Sequence, residues 1–168
     1  EIARKDLRIG DTVILQRAGD VIPQIVAVVT DEARGPEAYA FPTHCPCPLH
    51  TPLVRETTAS GAETVVRRCS GEFACPYQRK EHLRHFVSRS AFDIEGLGEK
   101  QIEYFYDSED LPVRAPADIF TLRARDGKNL RKLKDVEGFG TVSVLNLFDA
   151  IDARREISLE RLLNSLGI

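Results

Sequence analysis

The alternation of apolar and polar residues changes character along the chain. Asp11 to Arg17 is a β-branched run, and Val21 to Val29 is a second apolar run. Ala18-Gly19-Asp20 lies between them and predicts a tight turn, with a glycine free to adopt positive φ. The pattern therefore predicts two strands. Pro23 sits inside the second run and cannot donate to a ladder, so it marks an edge or a bulge. Two strands are too few for an independent domain. The expected frame is part of a β barrel or sheet whose earlier strands precede Glu1. The alternative is a small complete hairpin packed on the cysteine-bearing segment downstream. Residues 31–44 lose all periodicity, and Gly35, Pro36 and neighbouring charges predict a linker.

Beyond Cys75 the period becomes helical. Leu83, Phe86, Val87 and Ala91 form one apolar stripe, while Arg79, Lys80, Arg84 and Arg89 fall mostly off it. The predicted helix has a core face and a basic face. Ile102, Phe105 and Tyr106 begin a second stripe. Pro116 opens a short helix in Ala115 to Phe120, and Leu130, Leu133 and Val136 are expected to continue an apolar face. Val144, Leu147, Phe148 and Ile151 mark a further helix. The last helix is expected to start at Ser158, an N-cap residue, with Ile157 and Leu162 as a hydrophobic staple. Leu159, Leu162, Leu163 and Leu166 are its expected core stripe and Gly167 its C-cap. The chain stops just past that Leu-Gly, which reads as truncation before another hairpin.

Two of these helices share an entry. Ile94-Glu95-Gly96-Leu97-Gly98 precedes one, and Val136-Glu137-Gly138-Phe139-Gly140 precedes the other. One glycine-hydrophobic-glycine turn is a weak signal; two in one helical region form an internal repeat. The chemistry is that of a phosphate cradle. Glycines bring main-chain N–H groups close to a ligand, and the helix start adds unpaired donors and a positive dipole end. This is the helix-hairpin-helix motif, which grips the sugar-phosphate backbone of DNA without reading bases. Lys100 and Thr141, just after the second glycine of each turn, are candidate side-chain contacts. A dinucleotide-binding glycine fingerprint is excluded, because no strand is predicted before either turn.

All four cysteines lie in one stretch, as Cys45-Pro46-Cys47 and Cys69 with Cys75. The joining segment, Pro48 to Arg68, is polar and turn-prone, with little to bury. Four thiolates in two pairs suit tetrahedral zinc, which supplies folding energy that packing cannot. Two disulfides or four ordinary thiols are the alternatives. C-x-C with a central proline is a narrower half-site than the usual C-x-x-C, so His44 and His50 are possible substitutes, with His50 the reserve ligand.

Composition adds little until it is divided. The net charge of −3 does not announce a nucleic-acid binder, 42% hydrophobic residues argue against wholesale disorder, and no apolar run reaches membrane-span length. Locally, Arg67, Arg68, Arg79, Lys80, Arg84 and Arg89 face only Glu72 and Glu81 before Ala91. From Asp93 to Asp118 the balance reverses. A basic face meeting an anion is one reading of this, and ordinary mixed surface charge is the other.

Taken together, several stretches resemble the central region of bacterial NAD-dependent DNA ligases. They are Arg8-Ile9-Gly10-Asp11, Arg17 to Pro23, Phe41 to Pro46, His85 to Arg89, Asp93 to Lys100 and Pro116 to Phe120. The resemblance runs essentially end to end. It implies a multidomain α+β protein with a partial OB-fold β barrel in residues 1–40. A small four-cysteine zinc finger comes next in 41–78, then the first half of a mostly α helix-hairpin-helix domain in 79–168. By the same resemblance, Arg17, Val21 and Ile22 match OB positions that contact and distort DNA near a nick. Gly96, Gly98, Gly138 and Gly140 match turns that hold the minor-groove backbone, and Cys45, Cys47, Cys69 and Cys75 match the structural zinc ligands.

The implied parent is a bacterial, cytoplasmic, nucleoid-associated enzyme acting as a monomer on nicked double-stranded DNA in replication and repair. It joins a 3′-hydroxyl to a 5′-phosphate through lysine-AMP and DNA-adenylate, using NAD and Mg²⁺. The family's nucleotidyl-transfer Lys-x-Asp-Gly motif is absent here: Asp126-Gly127 follows Arg125. No catalytic residue is therefore expected in this chain, and NAD and Mg²⁺ are expected to bind other domains. The alternative function is a stand-alone zinc-containing helix-hairpin-helix module of a repair protein. A third reading is a protein-interaction zinc domain.

Overall fold

The structure, a computed structural model, describes residues 1–19 and 22–168. The chain divides into two compact units, Glu1–Thr43 and His44–Ile168.

In the first unit, strands β1 (Val13–Ala18) and β2 (Ile22–Val28) form a two-stranded antiparallel sheet. Arg17 stands opposite Pro23, and the register shifts between Ile14 and Leu15. The bulge is thus not at Pro23, whose missing N–H is accommodated because each strand has only one partner. Among the described residues no closed barrel forms. Ile14, Leu15, Ile22 and Val26 are exposed, so this hairpin buries little of its own apolar surface. The unit is tied by polar contacts instead. Arg34 places Nε 3.2 Å from Asp11 Oδ1 and Nη2 2.9 Å from Asp11 Oδ2. The Arg8 and Gly35 amides also donate to Asp11, and an isolated bridge joins Arg8 to Ala38. Residues 31–38 are therefore pinned to the strand entry.

The second unit begins with an antiparallel hairpin, β3 (Leu53–Thr57) and β4 (Glu63–Cys69), pairing Leu53 with Cys69. The turn-prone composition of Pro48 to Arg68 concealed this hairpin. Both of its faces are open: the adjacent Val65 and Val66 lie on opposite faces and both are exposed, so no polar–apolar alternation marks the strands.

Six helices complete the unit: α1 (Pro76–Val87), α2 (Glu99–Asp107), α3 (Pro116–Ile119), α4 (Leu122–Lys128), α5 (Thr141–Ala153) and α6 (Leu159–Ser165). Their shared core joins Leu83 and Phe86 of α1, Ile102 and Phe105 of α2, Ile119, Leu122, Leu133, and Val144, Leu147 and Phe148 of α5. Phe86 stacks on Phe92 at 4.2 Å between ring centroids, and Phe120 meets both edge-on.

Three sequence expectations require correction. Ala91 is buried but lies past the end of α1, because the helix ends at Val87. Leu130 is fully exposed, and Leu133 alone of its set is deeply buried; no α-helix carries them, and Leu133 opens a single 3-10 turn, Leu133–Asp135. In α6 the leucine stripe is exposed, and Ser165 is the buried residue. Ser158 does cap α6, accepting from the Arg161 amide. Its C-terminus closes as a Schellman motif, with Gly167 at φ +77° and the Ile168 amide donating to Leu163 O at 3.1 Å.

Candidate functional site

Two sites lie within the second unit. The first is the cysteine cluster. The Sγ atoms of Cys45, Cys47, Cys69 and Cys75 lie within 4.8 Å of one another, and all four are free thiols. Tetrahedral zinc with Zn–S bonds of about 2.3 Å sets sulfurs roughly 3.8 Å apart, so the cluster is of the right size. Four cysteines in this arrangement can hold a metal ion.

Local structure explains why they converge. The short Cys45-Pro46-Cys47 half-site is folded back by two bonds, Cys45 N–H to Thr51 O and His50 N–H to Cys47 O. The amides of Leu49 and Thr51 donate to the Cys47 sulfur. Cys75 is the N-cap of α1, without a side-chain cap hydrogen bond, and the nearby Gln78 and Tyr77 amides favour its thiolate. Burial still pushes the Cys75 thiol above its ordinary range. Cys69 receives Thr51 Oγ1 at 2.9 Å and the Gly71 amide at 3.3 Å. The Thr51 hydroxyl, together with the Gly71 amide, brings the Cys69 thiol down to about 6 despite desolvation. Donors aimed at sulfur stabilise thiolate charge, which is the ligand form a metal requires.

Sequence reasoning missed Thr51 and Gly71. A Cβ on Gly71 would sit 3.2 Å from Cys75 Cβ and 3.3 Å from both Cys69 Sγ and Thr51 Oγ1. Glycine in the Cys69–Cys75 loop was the available signal. His44 and His50 stack on each other at 4.9 Å, and among the described residues no histidine joins the sulfur group.

The second site is the pair of glycine turns, which are built alike. The Leu97 amide donates to Ile94 O at 3.3 Å, and the Phe139 amide to Val136 O at 3.0 Å. Gly96 and Gly138 adopt φ of +86° and +87°. Gly98 and Gly140 are extended N-caps of α2 and α5. Ile102 N–H to Gly98 O and Val144 N–H to Gly140 O, both 3.0 Å, then start each helix. Leu97 and Phe139 plug into the core beneath their turns. The four glycines, Lys100 and Thr141 are exposed; the Gly140 amide donates to Ser143 Oγ at 2.9 Å, while N–H groups of a helix's first turn lack intrahelical partners.

A cavity of about 450 Å³ at the first turn is lined by Ser88, Arg89, Asp93, Gly96, Gly98 and Arg154, among others. Of the expected OB contacts, Arg17 and Ile22 are exposed on the first unit's hairpin, and Val21 lies outside the described residues.

The basic side chains of α1 do not form a free anion-binding face. Lys80 pairs with Asp107 at 2.7 Å and lies over the Tyr106 ring. Arg84 bonds Glu81 and lies 3.0 Å from both Glu99 and Glu103. Arg79 donates twice to Phe73 O. Acidic residues of α2 thus pair with Lys80 and Arg84, and a backbone carbonyl holds Arg79.

Residues 1–37 match the family model of the NAD-dependent DNA ligase OB-fold domain. The chain is 63% identical over its whole length to a DNA ligase of Chelativorans sp. (strain BNC1), covering 24% of that protein. It is 65% identical over its whole length to one of Caulobacter sp. (strain K31), covering 21%. A DNA ligase of Bradyrhizobium sp. (strain ORS 278) is 59% identical over 98% of the chain, which covers 22% of it. The chain thus matches DNA ligases along essentially its whole length, and it spans less than a quarter of the length of these relatives. No helix among the described residues is long and apolar enough to cross a membrane.

Proposed function

We propose that this chain is a DNA-holding part of an NAD-dependent DNA ligase, gripping nicked duplex while other domains of the parent carry out sealing. The repeated turn carries this reading. Two exposed glycine pairs, each opening a helix of the same core, offer two sets of main-chain donors suited to phosphate oxygens. Such contacts hold backbone and do not specify sequence. Gly96, Gly98 and Lys100 act at one mouth, and Gly138, Gly140 and Thr141 at the other. Arg17, Val21 and Ile22 act from the OB segment.

In this reading the ion at Cys45, Cys47, Cys69 and Cys75 is zinc with a structural role. The finger occupies 41–78 and the hairpin domain 79–168. NAD and Mg²⁺ bind elsewhere in a cytoplasmic, monomeric parent, and this chain alone forms no adenylate.

Fluorescence anisotropy with a labelled nicked duplex, in a salt series, tests the reading. The expected result is binding that weakens steeply with salt, because each phosphate contact releases counterions. Salt-independent binding, or none, opposes it. Mass spectrometry after incubation with NAD should show no adenylylated chain.

A further inference from the structure

The loop between α1 and the first glycine turn is held from far along the chain. Its carbonyls are taken by side chains of the last two helical segments. Arg161 donates to Ala91 O at 2.7 Å and to Arg89 O at 2.5 Å, and Asn164 Nδ2 donates to Ser90 O at 2.7 Å. Arg154, at the C-cap of α5, places Nε 3.1 Å from Asp93 O and Nη2 2.9 Å from Asp93 Oδ2. Asp93 itself has φ +53°, and its amide bonds Ser88 O at 2.8 Å. The loop backbone is therefore fixed at the residue that precedes Ile94 and the first turn.

Arg154 stands in a particular relation to the two turns. It ends the helix that the second turn begins, and it lines the cavity at the first turn. Leu147 of the same helix lies against Gly96. We propose that Arg154 is a positioning residue for duplex binding. It fastens the helix of the second hairpin to the loop entering the first, so that both glycine mouths present their donors at one fixed separation.

The proposal rests on the duplex-holding reading. Both partners have side chains 39% exposed, so the pair contributes little to global stability. Its effect lies in geometry. Two mouths held at a matching separation bind as one bivalent unit, and loosening one costs affinity without removing any phosphate-binding residue. The guanidinium fork is required, since it engages a carbonyl and a carboxylate together; lysine presents a point charge in their place.

The test uses Arg154→Lys, Arg154→Gln and Asp93→Asn in the metal-loaded 168-residue chain, with nicked-duplex anisotropy across a salt series and thermal unfolding in parallel. Arg154→Lys keeps the charge, and Asp93→Asn tolerates positive φ while removing a negative charge. Weakening by about 5- to 10-fold is expected for each variant, within the coupling range of contacting residues. The slope of log K against log salt should flatten by roughly 0.9 for each phosphate no longer engaged, with the melting temperature nearly unchanged.

Asp93→Asn gives the decisive sign: general electrostatics predicts tighter binding, positioning predicts weaker. Wild-type affinity and slope in Arg154→Lys, or tighter binding by Asp93→Asn, overturns the positioning role and leaves the duplex-holding reading standing. Absence of salt-sensitive binding by the unmodified chain overturns both. Should Arg154→Gln fail to fold, the two milder variants carry the test.

Discussion

Gly96 faces Leu147: a Cβ placed on the glycine would lie 3.4 Å from Leu147 Cδ1 and 3.6 Å from its Cβ. The first hairpin turn is thus packed directly against the helix of the second. Gly138, its counterpart, has nothing within 4 Å of the same point. Both residues are left-handed, so alanine at either meets a backbone cost of about 1–2 kcal/mol. At Gly96 the added methyl meets Leu147 at ordinary van der Waals distance and packs without a clash. Denaturant titration should therefore show similar losses for Gly96→Ala and Gly138→Ala, each close to the backbone cost. A much larger loss at Gly96 would show that Leu147 does not accept the contact.

Removing the metal should act locally. The cysteine cluster and Leu53 pack apart from the large helical core. With a strong chelator, or in Cys75→Ser, hydrogen exchange is expected to accelerate at Val54, Arg55, Arg67 and Arg68, whose strands have little else to hold them. Amides of α2 and α5 should stay protected. Uniform deprotection would mean that the helices depend on the metal as well.

Gly71→Ala should impair the same centre without touching a ligand, because the added methyl crowds Cys75, Cys69 and Thr51. Zinc competition with a chromophoric chelator should show affinity reduced by about 10- to 100-fold, the range for groups that orient metal ligands. Thr51→Val, which removes the hydroxyl at Cys69, should weaken binding in the same direction.

Acid should loosen the first unit. The Arg34 guanidinium holds the Asp11 carboxyl down to about 2 from an ordinary 3.8, with help from the Arg8 and Gly35 amides. The Asp11 side chain is only 1% exposed. A depressed carboxylate contributes stability that is fully present above its unfolded value and lost as pH falls through its folded one. Stability of residues 1–43 is therefore expected to fall between about pH 4 and pH 2. Chemical denaturation monitored by NMR of that unit checks this, and Arg34→Gln should flatten the profile over the same interval.

The ion pairs on α1 make a negative prediction. Lys80→Gln and Arg84→Gln should leave duplex affinity and its salt slope nearly unchanged, because Asp107, Glu99 and Glu103 already take their charge. Lys100→Gln, at an exposed position on the first turn of α2, should weaken binding and reduce the slope by about 0.9. A steeper loss from Lys80→Gln would return the basic face of α1 to the interface.

Sequence pattern carried the helical unit well where periodicity and glycine spacing agreed. Phe86, Ile102, Phe105, Val144 and Leu147 were legible as core, and Ser158 as a cap. It failed where burial depends on which partners are present. The α6 leucines have helical spacing, yet their described neighbours leave them only partly covered, from Leu162 at 37% exposed to Leu159 at 69%. Leu130 matched a stripe, but its linker has no helical period. The β3–β4 hairpin was hidden because two exposed faces erase the alternation that marks a half-buried strand. Charge left two readings open in the sequence, and only the fold shows that Lys80 and Arg84 of α1 pair with Asp107, Glu99 and Glu103 of α2. The cysteine centre was legible as four ligands, but Thr51 and Gly71 show their role only once the chain has folded back.

The carbonyls of Arg89, Ser90, Ala91 and Asp93 have a consequence for the making of the protein. Their partners lie 61 to 74 residues downstream. A ribosome emits the chain from its N-terminus, so the first glycine turn leaves the exit tunnel well before the residues that shape its approach. Arg154, Arg161 and Asn164 arrive last. The earlier mouth is therefore completed by the later helices, and a nascent chain halted before Arg154 carries the whole first motif in its sequence without the anchors of its entry loop.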